Sequence, residues 1–324
     1  MRKWLLWGVV AVAGIALPYI LDDYQTFQIA RVTTTALPIA SLVLLTGWSG
    51  QVSAGQGALF GLGAYTCAIA IVSGGLPWPV AVLLAMVVGL AAGLLLGLPA
   101  LRLSGMSLGL ITLSLAVLFP LLLSRFKDLT GGPFGIQTPP VRTPAGIQLS
   151  SAQFLYLVTF VALAAVFALL ALLCRGRTGR ALDALRLQPA MARTTGVDTR
   201  RLSVLVVGMS GAVAALGGAL NALVLQSVVP DAYAFTFSLA LLTGAVIGGI
   251  RSWAGALVGA VFVVYVPQLV SDTVGDTLAG HWTQVGYALV LLLTLYFAPQ
   301  GLAGLGSRIT TKIGERRAHQ NFAP

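Results

Sequence analysis

The sequence predicts an all-α polytopic membrane protein, and three observations carry that reading. The 324-residue chain is 57% hydrophobic and only 9% charged, whereas soluble domains carry about 25% charged residues. Its mean hydropathy is +0.93. Its apolar residues fall in runs near the ~20 residues that a helix needs to cross a bilayer. A surface so poor in charge suits lipid. It excludes a secreted enzyme, a soluble DNA-binding protein and a disordered chain. The net charge of +10 would suggest nucleic acid in a soluble domain. Here it suggests basic cytoplasmic loops, and no nucleic-acid partner is expected.

Ten spans are expected, at about 4–20, 32–49, 53–73, 77–99, 105–124, 152–174, 202–226, 235–250, 253–271 and 282–298. The first follows Met1-Arg2-Lys3 and lacks a small-x-small cleavage site before Asp22-Asp23, so it reads as a retained helix and not a signal peptide. Arg2 and Lys3 place the N-terminus in the cytoplasm. Alternation then puts Asp22 and Asp23 outside, Arg102 inside and the 125–151 loop outside. The 175–201 loop falls inside, with Arg175, Arg177, Arg180, Arg186, Arg193, Arg200 and Arg201 against Asp183 and Asp198. Asp231, Asp272 and Asp276 come out on the far side, Arg251 returns, and the basic tail 299–324 ends inside. The positive-inside bias agrees at nearly every loop. The exception is the outer loop with Arg125, Lys127 and Arg142. The whole chain, 1–324, reads as one transmembrane domain. Ten spans divide as five plus five, and an odd-numbered repeat has to be inverted in the membrane.

No Asp, Glu, Lys, Arg or His is expected well inside a span; Arg31, Arg102, Asp231, Arg251 and His281 fall at ends. Proton-coupled carriers keep intramembrane carboxylates or histidines as relays. Intramembrane proteases need a catalytic pair or an HExxH site. Neither pattern is present, so uphill transport would draw its energy from a partner. A sodium-coupled carrier stays open, because backbone carbonyls can bind sodium. Cys67 and Cys174 sit in apolar runs with no metal-ligand spacing.

Glycines recur four apart at Gly57 and Gly61; Gly89, Gly93 and Gly97; Gly105 and Gly109; Gly244 and Gly248; Gly255 and Gly259. Two readings fit this spacing: close packing of helix backbones, or flexible helices beside a permeation path. The stretch Gly47–Thr66, GWSGQVSAGQGALFGLGAYT, sets Ser49, Gln51, Ser53 and Gln56 at the mouth of a helix. Those side chains either stitch a bent helix or line a path. In 175–201, Thr178 is expected to cap a short helix through about Leu187. Pro189 opens a second helix that Gly196 ends. Two short helices outside the membrane suit the docking of a soluble partner; an ordinary basic loop is the other reading. The stretch Leu241–Ala260 reads as a tight hairpin or a discontinuous helix around Gly248-Gly249. It lacks the GxxxxGK[ST] pattern of a phosphate loop.

These segments together resemble the permease subunits of branched-chain amino-acid ABC importers, of the LivM type rather than its LivH-type sister. The family pattern GxxGQxSLGHAAFxGIGAYT matches Gly47–Thr66, with Gln56 at its usual histidine and Ala54 at its leucine. Leu101-Arg102-Leu103-Ser104-Gly105 through Leu113 matches a second element, with Ser107 where an aromatic is common. Thr130–Ile136 matches an outer TxGxxGI element. Arg177–Arg186, then Met191-Ala192 and Gly196-Val197, match the family's cytoplasmic loop, without its usual acidic residue before the alanine pair. Gly248–Ala256 resembles GGxGSxxGPxxGA.

The resemblance implies a non-catalytic subunit in the bacterial cytoplasmic (inner) membrane. It implies a second, LivH-type permease, two cytosolic ATPase subunits and an extracytoplasmic solute-binding protein. ATP and Mg would be used by the ATPases, since this chain has no Walker motif and binds no cofactor itself. ATPase contact is expected at Arg180, Ala184, Met191, Ala192 and Gly196. Gln51, Ser53, Gln56, Tyr65 and Thr112 are expected along the translocation path, which would carry branched-chain amino acids or a similar small polar solute. The rival readings are a stand-alone channel or sodium-coupled carrier, an intramembrane enzyme and a structural scaffold.

Overall fold

The computed structural model describes residues 21–100, 106–141, 149–187 and 198–274, with isolated positions 14, 17–19, 143, 192, 285, 286 and 289. The described chain is almost wholly helical. Its helices are α1 (Asp23–Leu42), α2 (Gln56–Val72), α3 (Trp78–Ala100), α4 (Met106–Arg125), the single turn α5 (Lys127–Thr130), α6 (Ser151–Leu173), α7 (Gly176–Leu187), α8 (Thr199–Leu225), α9 (Phe235–Gly248) and α10 (Trp253–Val274). Among the described residues four helices are long and apolar enough to cross a membrane: Asp23–Trp48, Trp78–Pro99, Ser151–Leu173 and Thr199–Leu225. The pair Gly109–Arg125 and Lys127–Phe134, bent by 92°, makes a fifth if it is one span. Helices Gln56–Val72, Phe235–Gly248 and Trp253–Leu269 are apolar but shorter.

The expected spans 4–20 and 282–298 lie outside the described residues, apart from the isolated positions, as does the tail 299–324. Elsewhere expected and observed ends agree to within a few residues, with one exception. The span expected at 32–49 begins at Asp23, nine residues early, because Thr26 and Gln28 are buried and extend the helix into a region that hydropathy alone leaves out. Arg31 therefore does not sit at a helix end. It stands within α1, where its guanidinium donates to Gln28 Oε1 at 3.1 Å.

α1 and α8 form the centre, flanked by α2, α3, α6 and α10. Polar bonds join them where lipid supplies no hydrophobic drive for helix pairing. Thr33 Oγ1 meets Thr159 Oγ1 at 2.8 Å, and Asn221 Nδ2 donates to Thr34 Oγ1 at 3.1 Å. Glycine supplies the rest. β-Carbons at Gly89 and Gly93 in α3 would strike α8, and α9 and α10 form a tight hairpin in which Gly248 faces Gly255 and Gly244 faces Gly259. The close-packing reading therefore holds at these positions, and Leu241–Ala260 is a hairpin rather than one broken helix. Gly109 has only ordinary neighbours, the nearest at 3.8 Å, and Gly105 lies outside the described residues.

At one end of the bundle Ser150 caps α6, bonds the Asp23 carboxylate at 2.7 Å and makes a capping box with Gln153. Nearby, Gly135 (φ +70°) turns the chain into strand β1 (Ile136–Gln137), which pairs antiparallel with β2 (Ser227–Val228) after α8. The matched Thr130–Ile136 element is thus a turn that pins the loop after α4 onto the end of α8. The other end gathers α7, the Gly47–Gly50 segment and the α9–α10 turn.

Candidate functional site

α1 does not stop at Leu42. It widens into a π-helical turn, Val43–Trp48, and π turns concentrate at functional sites. The chain then bends at Gly50 (φ +72°) and runs unwound to α2. Backbone bonds make this bend one unit: Ser49 N donates to Leu44 O at 3.1 Å and Gln51 N to Leu45 O at 3.0 Å. Ser49 Oγ donates to Leu45 O at 2.6 Å, so Ser49 stitches the turn, as the first of its two readings held.

Four of the five expected path residues meet around one cavity. It has a volume of about 10 Å³ and is lined by Gln51, Ser53, Gln56 and Thr112 together with Gly55 and apolar side chains from α1, α2, α3 and α8. That is room for about one water molecule. Among the described residues no ionisable side chain lines it.

The four polar groups are not equivalent. Gln56 is 1% exposed, and both ends of its amide are bonded. Its Nε2 donates to Ser210 Oγ at 2.7 Å, its Oε1 accepts from Ser41 Oγ at 3.1 Å, and Ser210 Oγ donates to Ser41 O at 3.3 Å. One amide so ties α1, α2 and α8 together. Thr112 Oγ1 accepts from Ala54 N at 3.0 Å and donates to Gly109 O at 2.9 Å, which docks α4 on the unwound segment. Ser53 Oγ accepts from Gly55 N at 3.4 Å. Gln51 differs: both its amide nitrogen and its amide oxygen are buried with no hydrogen-bond partner among the described residues. Orphaned buried amides are uncommon and costly.

Tyr65 is not at this cavity. It lies two turns further along α2, edge-on to Tyr233 at 6.0 Å, in an aromatic cluster with Phe60 and Phe237. The sequence placed it in a shared motif; helix geometry turns it to a different set of neighbours.

Of the two short helices expected in 175–201, the first is present as α7. α7 starts at Gly176 (φ +71°), so Thr178 lies inside the helix and does not cap it. Arg180 is exposed, Ala184 half-buried, and Ala192 buried in helical conformation. Met191, Gly196 and the second helix expected from Pro189 lie outside the described residues.

Sequence reasoning missed how α7 holds the bend. Arg186 Nη1 donates to Gly47 O at 2.8 Å, and its stem packs on Gly50. Arg251, in the α9–α10 turn, pairs with Asp183 Oδ1 at 2.6 Å. Its guanidinium lies 4.9 Å over the Trp48 ring, and Trp48 stacks on Trp253 at 6.3 Å. These charges registered in the sequence as topology markers and motif positions, not as partners. The signal that was present was Arg251 two residues before Trp253, with Trp48 beside the Gly47–Gly50 bend.

Residues 25–298 match the family model described as "Branched-chain amino acid transport system / permease component". The chain belongs to this family. Among relatives of this permease, the high-affinity branched-chain amino acid transport system permease protein LivM of Escherichia coli (strain K12) is 28% identical over 93% of this chain and 75% of its own. A probable branched-chain amino acid transport permease protein LivM of Methanocaldococcus jannaschii is 25% identical over 68% of this chain and 67% of its own. A probable LivH permease from the same organism is 27% identical over 47% of this chain and 48% of its own. No solved structure matches. The relatives are transport components, and no enzymatic family is indicated.

Proposed function

We propose that this permease is the LivM-type half of an ATP-driven importer in the bacterial cytoplasmic membrane, and that it carries branched-chain amino acids. The observation that carries this reading is the meeting of Gln51, Ser53, Gln56 and Thr112 at one uncharged cavity, beside a π turn and an unwound segment, in a member of a permease family. An apolar wall broken by a few neutral polar groups suits a solute with an aliphatic side chain. The paired charges of an amino acid would be met by helix ends and backbone dipoles. A cavity of about 10 Å³ is far smaller than such a solute, so transport requires the wall to open.

In this reading ten spans, arranged as an inverted five-plus-five repeat, place both termini and α7 in the cytoplasm. A LivH-type permease completes the channel, since relatives of both types match the chain. Two ATPases using ATP and Mg dock on the 175–201 loop, at Arg180, Ala184, Met191, Ala192 and Gly196, and a binding protein delivers solute from outside. Closure of the ATPases moves the loop, and the loop alternates access to the cavity. The test is uptake of radiolabelled leucine by proteoliposomes holding the assembled complex. Uptake that needs ATP and the binding protein supports the reading. Equal uptake without the ATPases favours a stand-alone carrier.

A further inference from the structure

We infer that Asp183, Arg186 and Arg251 are positioning residues that fasten the cytoplasmic helix α7 to the Gly47–Gln51 bend and so set the wall of the cavity. The inference rests on the transport reading above but concerns different residues of α7 from those assigned to ATPase contact. Arg180 projects from α7 into solvent. Asp183 and Arg186 instead both reach other parts of the chain, Arg251 and the Gly47 carbonyl.

Two independent links run from these two residues. Arg186 bonds the Gly47 carbonyl at 2.8 Å while its aliphatic stem rests on Gly50. That carbonyl belongs to the π turn, so a charge-assisted bond falls at the place where helix geometry is already relaxed. Asp183 holds Arg251 at 2.6 Å, and Arg251 covers Trp48, the last residue of the same turn. The turn is in turn wedged against the α9–α10 connection: a β-carbon at Gly47 would run into the Ile250 carbonyl. A displacement of α7 therefore cannot leave residues 47–50 where they are. Three residues carry it inward, because Gln51 N is bonded to Leu45 O at 3.0 Å and Thr46 Oγ1 to Gln51 O at 3.3 Å. Leu45 and Gln51 both line the cavity.

The charges in this relay are about half exposed, with Arg251 and Asp183 side chains at 48% and 40%. Exposed pairs contribute little to folding, so variants of this pair should fold. Their role is to fix relative position, and position is what the experiment reads. Asp183→Arg, Arg251→Asp and the double exchange are placed in the complete complex in proteoliposomes, and leucine moved per ATP hydrolysed is measured. Each single reversal is expected to lower that ratio about tenfold, an ordinary strength for coupling between sites, with ATP hydrolysis continuing. The exchange is expected to restore most of it. Single variants with the wild-type ratio, or an exchange as poor as the singles, would overturn the inference.

A second measurement needs no transport. Ser53→Cys, with Cys67 and Cys174 replaced by alanine, is labelled with a membrane-permeable maleimide in native membranes. Arg186→Ala is expected to raise the labelling rate several-fold, and an unchanged rate overturns the link. Should the wild-type complex show no ATP-dependent uptake, the transport reading fails while the labelling result still decides whether α7 sets the cavity wall.

Discussion

Gln56 and Ser210, 154 residues apart in sequence, meet at 2.7 Å in the middle of the helical bundle. The serine passes the bond on to the Ser41 carbonyl, and Ser41 returns one to the glutamine. This closed ring of neutral bonds separates two roles that the sequence left merged: the Gln56 amide holds helices together, and the side-chain amide of Gln51, five residues earlier, bonds nothing among the described residues.

Ser210→Ala breaks the ring and leaves the Gln56 amide a buried donor short. Bonds of this kind within membrane bundles are worth about 0.6 kcal/mol on average and up to ~1.7, and an orphaned donor adds to the loss. We expect Ser210→Ala to destabilise the protein by about 1–2 kcal/mol in denaturant titrations in detergent. The double variant with Gln56→Leu should cost less than the sum of the singles. Strict additivity would show the two residues to be uncoupled.

Gln51→Leu should do the opposite. It removes an amide whose two polar atoms are buried without partners among the described residues, and relief of that penalty is expected to leave stability unchanged or raise it by about 1 kcal/mol. Leucine uptake in the assembled complex should fall. A stabilised variant with full uptake would mean that the amide has no part in the path.

The glycines make a graded set. At Gly248 a β-carbon would meet the Gly255 carbonyl, whereas at Gly109 the nearest atom is 3.8 Å away. Gly248→Ala should force α9 and α10 apart at a cost of about 1–3 kcal/mol. Gly109→Ala should be neutral or stabilising by up to ~1 kcal/mol through helix propensity. Melting temperatures of the two variants check this, and equal losses would count against the hairpin geometry.

Sidedness is testable by thiol labelling in a chain without Cys67 and Cys174. Phe134, 91% exposed at the turn after α4, should as Phe134→Cys react with an impermeant maleimide added outside intact cells. Arg180→Cys should react only after lysis. The reverse pattern would invert the proposed topology.

Much of the architecture was legible one residue at a time. Apolar runs marked the helices because a backbone in lipid has to satisfy its own hydrogen bonds. The few charges marked the loops, since the cost of placing them in the bilayer drives them to its edges. Arg31 escaped that logic. Of the polar residues that carry α1 back to Asp23, Gln28 bonds Tyr24 and Arg31 within the helix and Asp23 bonds Ser150, and a window of hydropathy does not register partners. The candidate site was half legible. Gln51, Ser53, Gln56 and Thr112 were selected as small polar residues in a glycine-rich motif, and they do meet. Tyr65 was selected on the same ground and lies among aromatic rings instead.

By itself, then, the sequence determined that the chain is helical, belongs in a membrane and resembles a transport subunit, because composition, run length and motif order are properties of the chain taken in line. Which glutamine amide is bonded across helices and which has no partner among the described residues was decided only by the tertiary structure. So was the grip of Arg186 on Gly47 and of Asp183 on Arg251. Hydrogen bonds act over about 3 Å, and only the packed fold brings residues tens or hundreds of positions apart within that reach.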